Sequence, residues 1–319
     1  MSRIFDALQR SGVEQAGIEY PDVVSVITEF LEIPAREVRP APSQPTESAP
    51  LELPGPELRI EELRPEELQT QKPASHELSE FPSLSVNLTR GSRLVFFTEP
   101  DSLAAEKFRF LGVRLRQIQQ SRSLKKVLIT STIPEEGKSF VSANLAGVLS
   151  RRKQKVLLIE GDLRRPTLSK QFGLGRLVGL GEWLQGDRQR LNNIYRLDGP
   201  GLWFMPAGDP PTNPLELMQS GTLSQLMTQL TTMFDWIIVD SPPLLPLADT
   251  TVWSRMTEGT LLVVREGTSQ KAMLERGLET IKKSELLGVV LNGCTDSKGK
   301  SYYQSYLTPG ATKPVQQLP

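Results

Sequence analysis

The chain has 319 residues, 37 of them Lys or Arg and 37 Asp or Glu, with one His and one Cys. At roughly 100–200 residues per domain this length accommodates one large domain with appendages, and a formal charge of zero gives no reason to expect a nucleic-acid partner. Lone Cys294 excludes an intrachain disulfide and a Cys-based zinc site and fits a reducing cytoplasm, and the single His76 leaves too little for a Ser-His-Asp triad or a multi-His metal centre.

The zero conceals a split: residues 1–90 carry 16 acidic and 8 basic side chains, net −8, and the remainder carries net +8. Ser2 can cap a short helix with Ile4, Phe5 and Leu8 on one face, and Val23, Val24, Val26, Ile27, Phe30 and Leu31 form a second apolar cluster. Residues 1–39 are therefore expected to hold short amphipathic helical segments that could dock on a partner. Residues 40–56 contain six prolines in seventeen positions, and the stretch to Glu80 is rich in Glu, Leu and Pro. Such a segment cannot bury enough apolar surface to offset chain entropy, so 40–90 is expected to be a disordered acidic linker.

From Arg93 onward short apolar runs alternate with helical patterns, the signature of an α/β domain with a mostly parallel sheet and helices on both faces. The predicted strands are 94–98, 126–131, 155–160, 202–205, 236–240, 260–265 and 288–292. The predicted helices are 103–119, 138–150, 215–233 with a break near Ser220 and Gly221, 246–256 and 270–283. The domain is expected to end near 295, leaving 296–319 as a flexible tail. No run approaches the ~18 apolar residues that cross a bilayer, and the N-terminus lacks a secretory leader, so the chain is expected neither to be secreted nor to span a membrane by itself.

The central motif is Thr132-Ile133-Pro134-Glu135-Glu136-Gly137-Lys138-Ser139, between strand 126–131 and a helix. It matches G-x-x-x-x-G-K-[ST] except that Thr132 replaces the first Gly. In such a loop backbone N–H groups cradle phosphates, Lys138 neutralises β/γ oxygens, and the Ser139 hydroxyl joins a Mg²⁺ shell. Two further strands end in acids, one in Glu160-Gly161-Asp162 and one in Asp240. Ligands of open α/β sheets sit at the carboxyl ends of strands, which sets these acids beside the loop as candidate Mg²⁺ ligands or proton acceptors.

With these motifs in order, residues ~93–292 resemble the bacterial tyrosine kinases of exopolysaccharide and capsule biosynthesis, within the broader MinD/ParA-like P-loop ATPases. Thr130 to Ser139 is similar to the family's T-S-S-x-P-G-E-G-K-S, Glu160 to Pro166 to D-x-D-L-R-R-P, and Ile238 to Pro243 to I-I-D-T-P-P. Pro211 to Met218 is similar to P-x-N-P-x-E-L-L, and Leu287 to Asn292 to L-G-V-V-L-N. The resemblance implies ATP and Mg²⁺ as cofactors. Thr132, Pro134, Glu135, Glu136, Gly137, Lys138, Ser139, Phe140 and Asn292 would then be nucleotide contacts, with Asn292 near the adenine. Lys138, Glu160, Asp162 and Asp240 would be catalytic, and Ser139, Asp162 and Asp240 would hold the metal.

The family also carries a C-terminal tyrosine cluster phosphorylated between subunits, matched here by Tyr302, Tyr303 and Tyr306. A membrane-embedded polysaccharide co-polymerase on a separate chain is implied as activator, and with it a peripheral position at the inner face of the cell membrane. Glu106 to Leu111 is similar to the family's inter-subunit helix, with Gly112 at its second Arg position. Two departures stand out: Glu135 replaces a Gly and places a negative charge near the phosphates, and Glu160 replaces an Asp. A MinD/ParA-like switch ATPase and a nucleotide-binding pseudokinase are the alternatives. The loop lacks the second Lys common in the first, and the two Glu departures favour the second.

Overall fold

A computed structural model of the chain describes residues 26–29, 78, 81–86, 88, 93–151, 153–186, 191–199, 201–245 and 247–294. Those from 81 onward and the strand at 26–29 belong to one compact unit. In chain order its elements are β1 (Val26–Glu29), β2 (Ser83–Ser85), α1 (Val95–Thr98), α2 (Leu103–Ser121), β3 (Lys126–Ser131), α3 (Lys138–Ser150), β4 (Val156–Glu160), α4 (Leu168–Gln171) and α5 (Leu180–Gln185). They continue as β5 (Tyr195–Asp198), β6 (Leu202–Met205), α6 (Pro214–Gln219), α7 (Thr222–Met233), β7 (Trp236–Asp240), α8 (Asp249–Met256), β8 (Gly259–Arg265), α9 (Lys271–Thr280) and β9 (Leu286–Asn292).

The strands form one sheet in the order β1-β9-β8-β3-β7-β4-β6-β5-β2. The run from β9 to β6 is parallel throughout, and the β5–β6 and β1–β9 pairs are antiparallel. Strands β4 and β7 are buried at every residue, which is what a sheet covered on both faces requires of Val156-Leu157-Leu158-Ile159 and Trp236-Ile237-Ile238-Val239. Register then sets the site: Ile129 pairs with Asp240, and Asp240 with Glu160. The phosphate loop and both acid-tipped strands thus emerge at one edge.

Helix α3 anchors that edge in the core. It is buried on all sides from Ser139 to Ser150, so its apolar residues do not form a single stripe and it sits inside the fold. Helix α2 covers it with Phe108, Leu111 and Leu115, whose spacing of three and four keeps one face inward. Phe108 meets Phe140 edge-on at 5.5 Å between ring centroids. Burying side chains of this size contributes about 1.5–3 kcal/mol each. The Ser102 hydroxyl caps α2 by accepting from the Ala105 N–H at 3.1 Å.

Three expectations need correction. Residues 94–98 form a helical turn, α1, in place of the predicted strand: Leu94 O accepts from Phe97 and Thr98 N–H, and Asn144 Oδ1 of α3 accepts from Phe96 N–H at 3.0 Å. A short apolar run is compatible with either element, and here the polar partner on α3 decides. The expected linker also ends earlier than residue 90. Phe81 is buried, Ser83–Ser85 pairs parallel with β5, and the Ser83 hydroxyl donates to Asp198 at 2.6 Å, so these residues satisfy an otherwise open sheet edge. Finally, Val26–Glu29 is a strand on the β9 edge, where the sequence suggested a helical segment; β-branched Val26, Ile27 and Thr28 suit a strand. The other residues of 1–39, most of 40–80 and the whole 296–319 tail lie outside the described residues.

Strand β5 and the short helices α4 and α5 were not expected from periodicity, being only four to six residues long. The predicted break in 215–233 is present, with Gly221 at φ +77 between α6 and α7, a left-handed conformation natural to glycine.

Candidate nucleotide and phosphoryl-transfer site

The phosphate loop turns from β3 into α3 through two left-handed residues, Glu135 at φ +68 and Gly137 at φ +94. Gly137 has no alternative, because a Cβ there would lie 2.0 Å from Asn292 Nδ2. Glu135 occupies the position where the resembled motif carries Gly, and for an L-residue this conformation costs roughly 1–2 kcal/mol. Its side chain lines the cavity over the loop.

Glu136 does the opposite. Its carboxylate is buried and accepts from the Ile133 N–H at 2.9 Å, the Arg265 N–H at 3.3 Å and the Ser269 hydroxyl. Burial pushes its pKa up against these hydrogen bonds. Its carbonyl accepts from Asn292 Nδ2 at 2.9 Å. Glu136 therefore ties the loop to the ends of β8 and β9, and its side chain does not line the cavity. Thr132 is likewise fully buried. Of the residues expected to contact nucleotide, Pro134, Glu135, Gly137, Lys138, Ser139, Phe140 and Asn292 line the cavity, while Thr132 and Glu136 do not.

Lys138 Nζ lies 3.1 Å from Asp162 Oδ2. Burial alone would lower the Lys138 pKa, but the charges of Asp240, Asp162 and Glu160 outweigh it and hold it above its ordinary value. Asp162 sits on the cavity wall, its other oxygen accepting from Arg165 and Arg164 N–H at 3.0 and 3.3 Å. Asp240 lies beneath the wall, almost fully buried. Burial drives its pKa up to about 6, Lys138 and the Ser139 hydroxyl pull it down, and Glu160 and Asp162 add to the rise. The Ser142 hydroxyl also donates to it at 3.1 Å. Three carboxylates facing one ammonium leave an excess of negative charge that a divalent cation would relieve.

Glu160 departs from the expected role of base. Its Oε1 accepts from the Leu168 N–H at 2.5 Å, and its Oε2 from the Ser169 hydroxyl and the Ala207 N–H, both at 3.1 Å. With all three donors, two backbone N–H groups and one hydroxyl, drawn from α4 and the loop after β6, the carboxylate is committed to holding those two segments. It does not line the cavity, which leaves Asp162 as the acid that an acceptor could meet.

The cavity, about 1350 Å³, carries six cations, Arg93, Lys138, Arg164, Arg165, Lys170 and Arg265, against two acids, Glu135 and Asp162. Arg164 is held by buried Asp249 at 2.7 and 3.2 Å. The sequence pointed to neither Asp249 nor Ser269, since one opens a helix and the other sits in a loop far from any motif. Asn292 Oδ1 is buried without a hydrogen-bond partner, an orphaned acceptor at the cavity wall. Among the described residues no group of three or more His, Cys, Asp or Glu side chains is arranged to hold a metal ion.

Strand, phosphate loop, helix and flanking acid-tipped strands define a P-loop nucleotide-binding protein. The chain is 34% identical over 225 residues to the tyrosine-protein kinase YwqD of Bacillus subtilis, covering 69% of this chain and 95% of that protein. It is 35% identical over 193 residues to the tyrosine-protein kinase ptk of Acinetobacter johnsonii, covering 60% of this chain but only 26% of that longer protein. The kinase domain of the Escherichia coli tyrosine kinase ETK superposes with a TM-score of 0.60 at 28% identity, over 70% of this chain and 86% of that one. No protein-family model matches. The chain belongs to the bacterial tyrosine-protein kinases, enzymes of the P-loop type. No helix among the described residues is long and apolar enough to cross a membrane.

Proposed function

We propose that the chain transfers the γ-phosphoryl group of ATP to tyrosine, with Tyr302, Tyr303 and Tyr306 of a neighbouring copy as main acceptors. This activity would regulate exopolysaccharide or capsule assembly through a membrane-embedded co-polymerase on a separate chain. The observation that carries the chemistry is the Lys138–Asp162 pair on the cavity wall, with Ser139 beside it and Asp240 behind. Bound Mg²⁺ would neutralise charge on the β and γ oxygens, with Ser139, Asp162 and Asp240 as its candidate holders. Asn292 Oδ1, an acceptor lacking a donor, suits the adenine amino group.

Lys138 would exchange Asp162 for phosphate oxygens, and the freed carboxylate would take the proton of the attacking phenol. The phenol oxygen then bonds to the γ-phosphorus as the bond to the β-phosphate oxygen breaks, and ADP leaves with that electron pair. Tyr195 is a poor competitor, since its hydroxyl donates to the Val178 carbonyl at 3.2 Å and burial raises its pKa. In the expected inter-subunit helix α2, Gly112 faces inward, where a Cβ would lie 2.7 Å from Val148 Cγ1. An Arg cannot be placed there, so the contact between copies would rest on exposed Phe110 and Val113 beside Glu106 and Arg109.

The test is incubation with labelled ATP and Mg²⁺, followed by phosphotyrosine detection and mass-spectrometric mapping. Label is expected on Tyr302, Tyr303 and Tyr306, and changing all three to Phe should remove it without altering ATP binding. Mixing that variant with a Lys138→Met chain should label the Lys138→Met chain. Label chiefly on Tyr20 or Tyr195, or none at all, refutes the reading.

A further inference from the structure

The cavity, about 1350 Å³, extends to both sides of the phosphate loop. In the sheet, β8 and β9 lie on one side of the phosphate-loop strand β3, and β7 and β4 on the other. Asn292, Gly293 and Arg265 therefore line the β9 side, where an adenine is expected, and Asp162, Arg165, Thr167, Lys170 and Gln171 follow β4 on the opposite side. An acceptor tyrosine has to approach Asp162, so residues next to it in its chain run along this second wall.

That wall is basic without compensation. Lys138 is paired with Asp162 and Arg164 with Asp249, but Arg165 and Lys170 on this wall, and Arg93 elsewhere in the lining of the same cavity, form no ion pair with any described residue. All three side chains belong to exposed residues on the rim, so they can reach a ligand at little desolvation cost. Unpaired Arg and Lys lining one cavity favour a dianionic phosphate over a neutral side chain. The chain's own acceptor cluster supplies that chemistry: with tyrosines at 302, 303 and 306, the first transfer leaves a phosphate one to four residues from the next hydroxyl.

We propose that Arg93, Arg165 and Lys170 form an anion subsite that binds a phosphotyrosine already present beside the acceptor, so that later transfers to a cluster are favoured over the first. The inference rests on the tyrosine-kinase reading above and adds an acceptor preference to it. A carboxylate from another substrate shares the chemistry with half the charge, and the test separates the two.

Peptides spanning 298–310 with Tyr306 as sole acceptor would carry phosphotyrosine, Glu or Phe at position 303, and Phe at 302. They are assayed with the full chain in which Tyr302→Phe, Tyr303→Phe and Tyr306→Phe remove self-labelling. The phosphopeptide is expected to show a KM about fivefold below that of the Phe peptide, and the Glu peptide about twofold below, with kcat unchanged. Adding Arg93→Gln and Lys170→Gln should bring all three KM values together, and raising salt from roughly 50 to 300 mM should shrink the differences. Equal KM values in the unsubstituted wall, or a preference that survives the double variant, overturn the subsite. A preference for Glu equal to that for phosphotyrosine overturns the phosphate assignment. Fluorescence anisotropy of the same labelled peptides reads binding without turnover. A phosphopeptide preference lost in the double variant supports the subsite even where no peptide is phosphorylated, a result that would sink the kinase reading alone.

Discussion

Replacing Asp240 by Asn should make the protein more stable and less active at neutral pH. Asp240 is 1% exposed, and its pKa is raised from 3.8 to about 6, chiefly by burial. The folded state therefore holds this proton more tightly than the unfolded state does. The stability this group contributes is complete below pH 3.8 and is lost as pH rises from there through about 6. A shift of about two units at 1.36 kcal/mol each makes the ionised carboxylate cost roughly 3 kcal/mol at pH 7.5. The Asn amide keeps an acceptor for the Ser142 hydroxyl but leaves a buried N–H₂ without a partner, at about 1–2 kcal/mol. The net gain is about 1–2 kcal/mol, or roughly 3–6 °C in Tm for a domain of this size. Thermal denaturation without nucleotide or metal checks this at pH 7.5 and at pH 4, where wild type is already protonated and the variant should be no more stable than it. With Mg²⁺ and ATP added at pH 7.5 wild type should gain more than the variant, and Mg²⁺-dependent transfer should fall in the variant. A variant less stable than wild type at pH 7.5, or a gain that persists at pH 4, refutes the reasoning.

Lys138→Met should lower phosphotyrosine formation at least about 100-fold while the thermal transition stays cooperative, since the ammonium acts on phosphate charge; undiminished labelling would remove the phosphate-loop assignment. Glu160→Gln opposes an amide N–H₂ to the donors of Ser169 and Ala207, so it should cost about 1–3 kcal/mol by denaturant unfolding and leave kcat near wild type at low temperature. A rate loss with unchanged stability would restore Glu160 as the base. Glu135→Gly exchanges the left-handed strain of a side chain at φ +68 for glycine's chain entropy, so stability should move by less than about 1 kcal/mol. Removal of its charge should tighten ATP binding about threefold, more at low salt, by calorimetric titration; weakened binding would show that Glu135 helps to hold the nucleotide.

The sequence by itself determined the elements whose pattern is long or chemically marked. Strands β3, β6 and β7 and helix α3 fall at their predicted residues, because their apolar runs are bounded by residues that break the pattern, Lys126 opening β3, Gly201 and Pro206 around β6, Asp235 before β7 and Asp240 closing it, and Gly137 before α3. The motif order also fixed which strand ends gather at one edge, and with them Lys138, Ser139, Asp162 and Asp240. Tertiary structure decided what residue type and spacing cannot carry: the direction in which each carboxylate points. Glu160 and Asp162 are two residues apart, yet one holds the backbone of α4 and the other pairs with Lys138. Glu135 and Glu136 are adjacent, yet one lines the cavity and the other is buried against Ser269. Strand β4 ends at Glu160, so Asp162 lies in the loop beyond it and escapes the shared face that a spacing of two would give in a strand, and the left-handed turn at 135 sends Glu135 and Glu136 to different partners. The partners at 207, 265 and 269 are brought near by the sheet order and not by the chain, and the one at 168 by the turn from β4 into α4. Gly112 and the helical turn at 95–98 follow the same rule, since each is set by contact with α3, at Val148 and Asn144, which lie far from them in sequence.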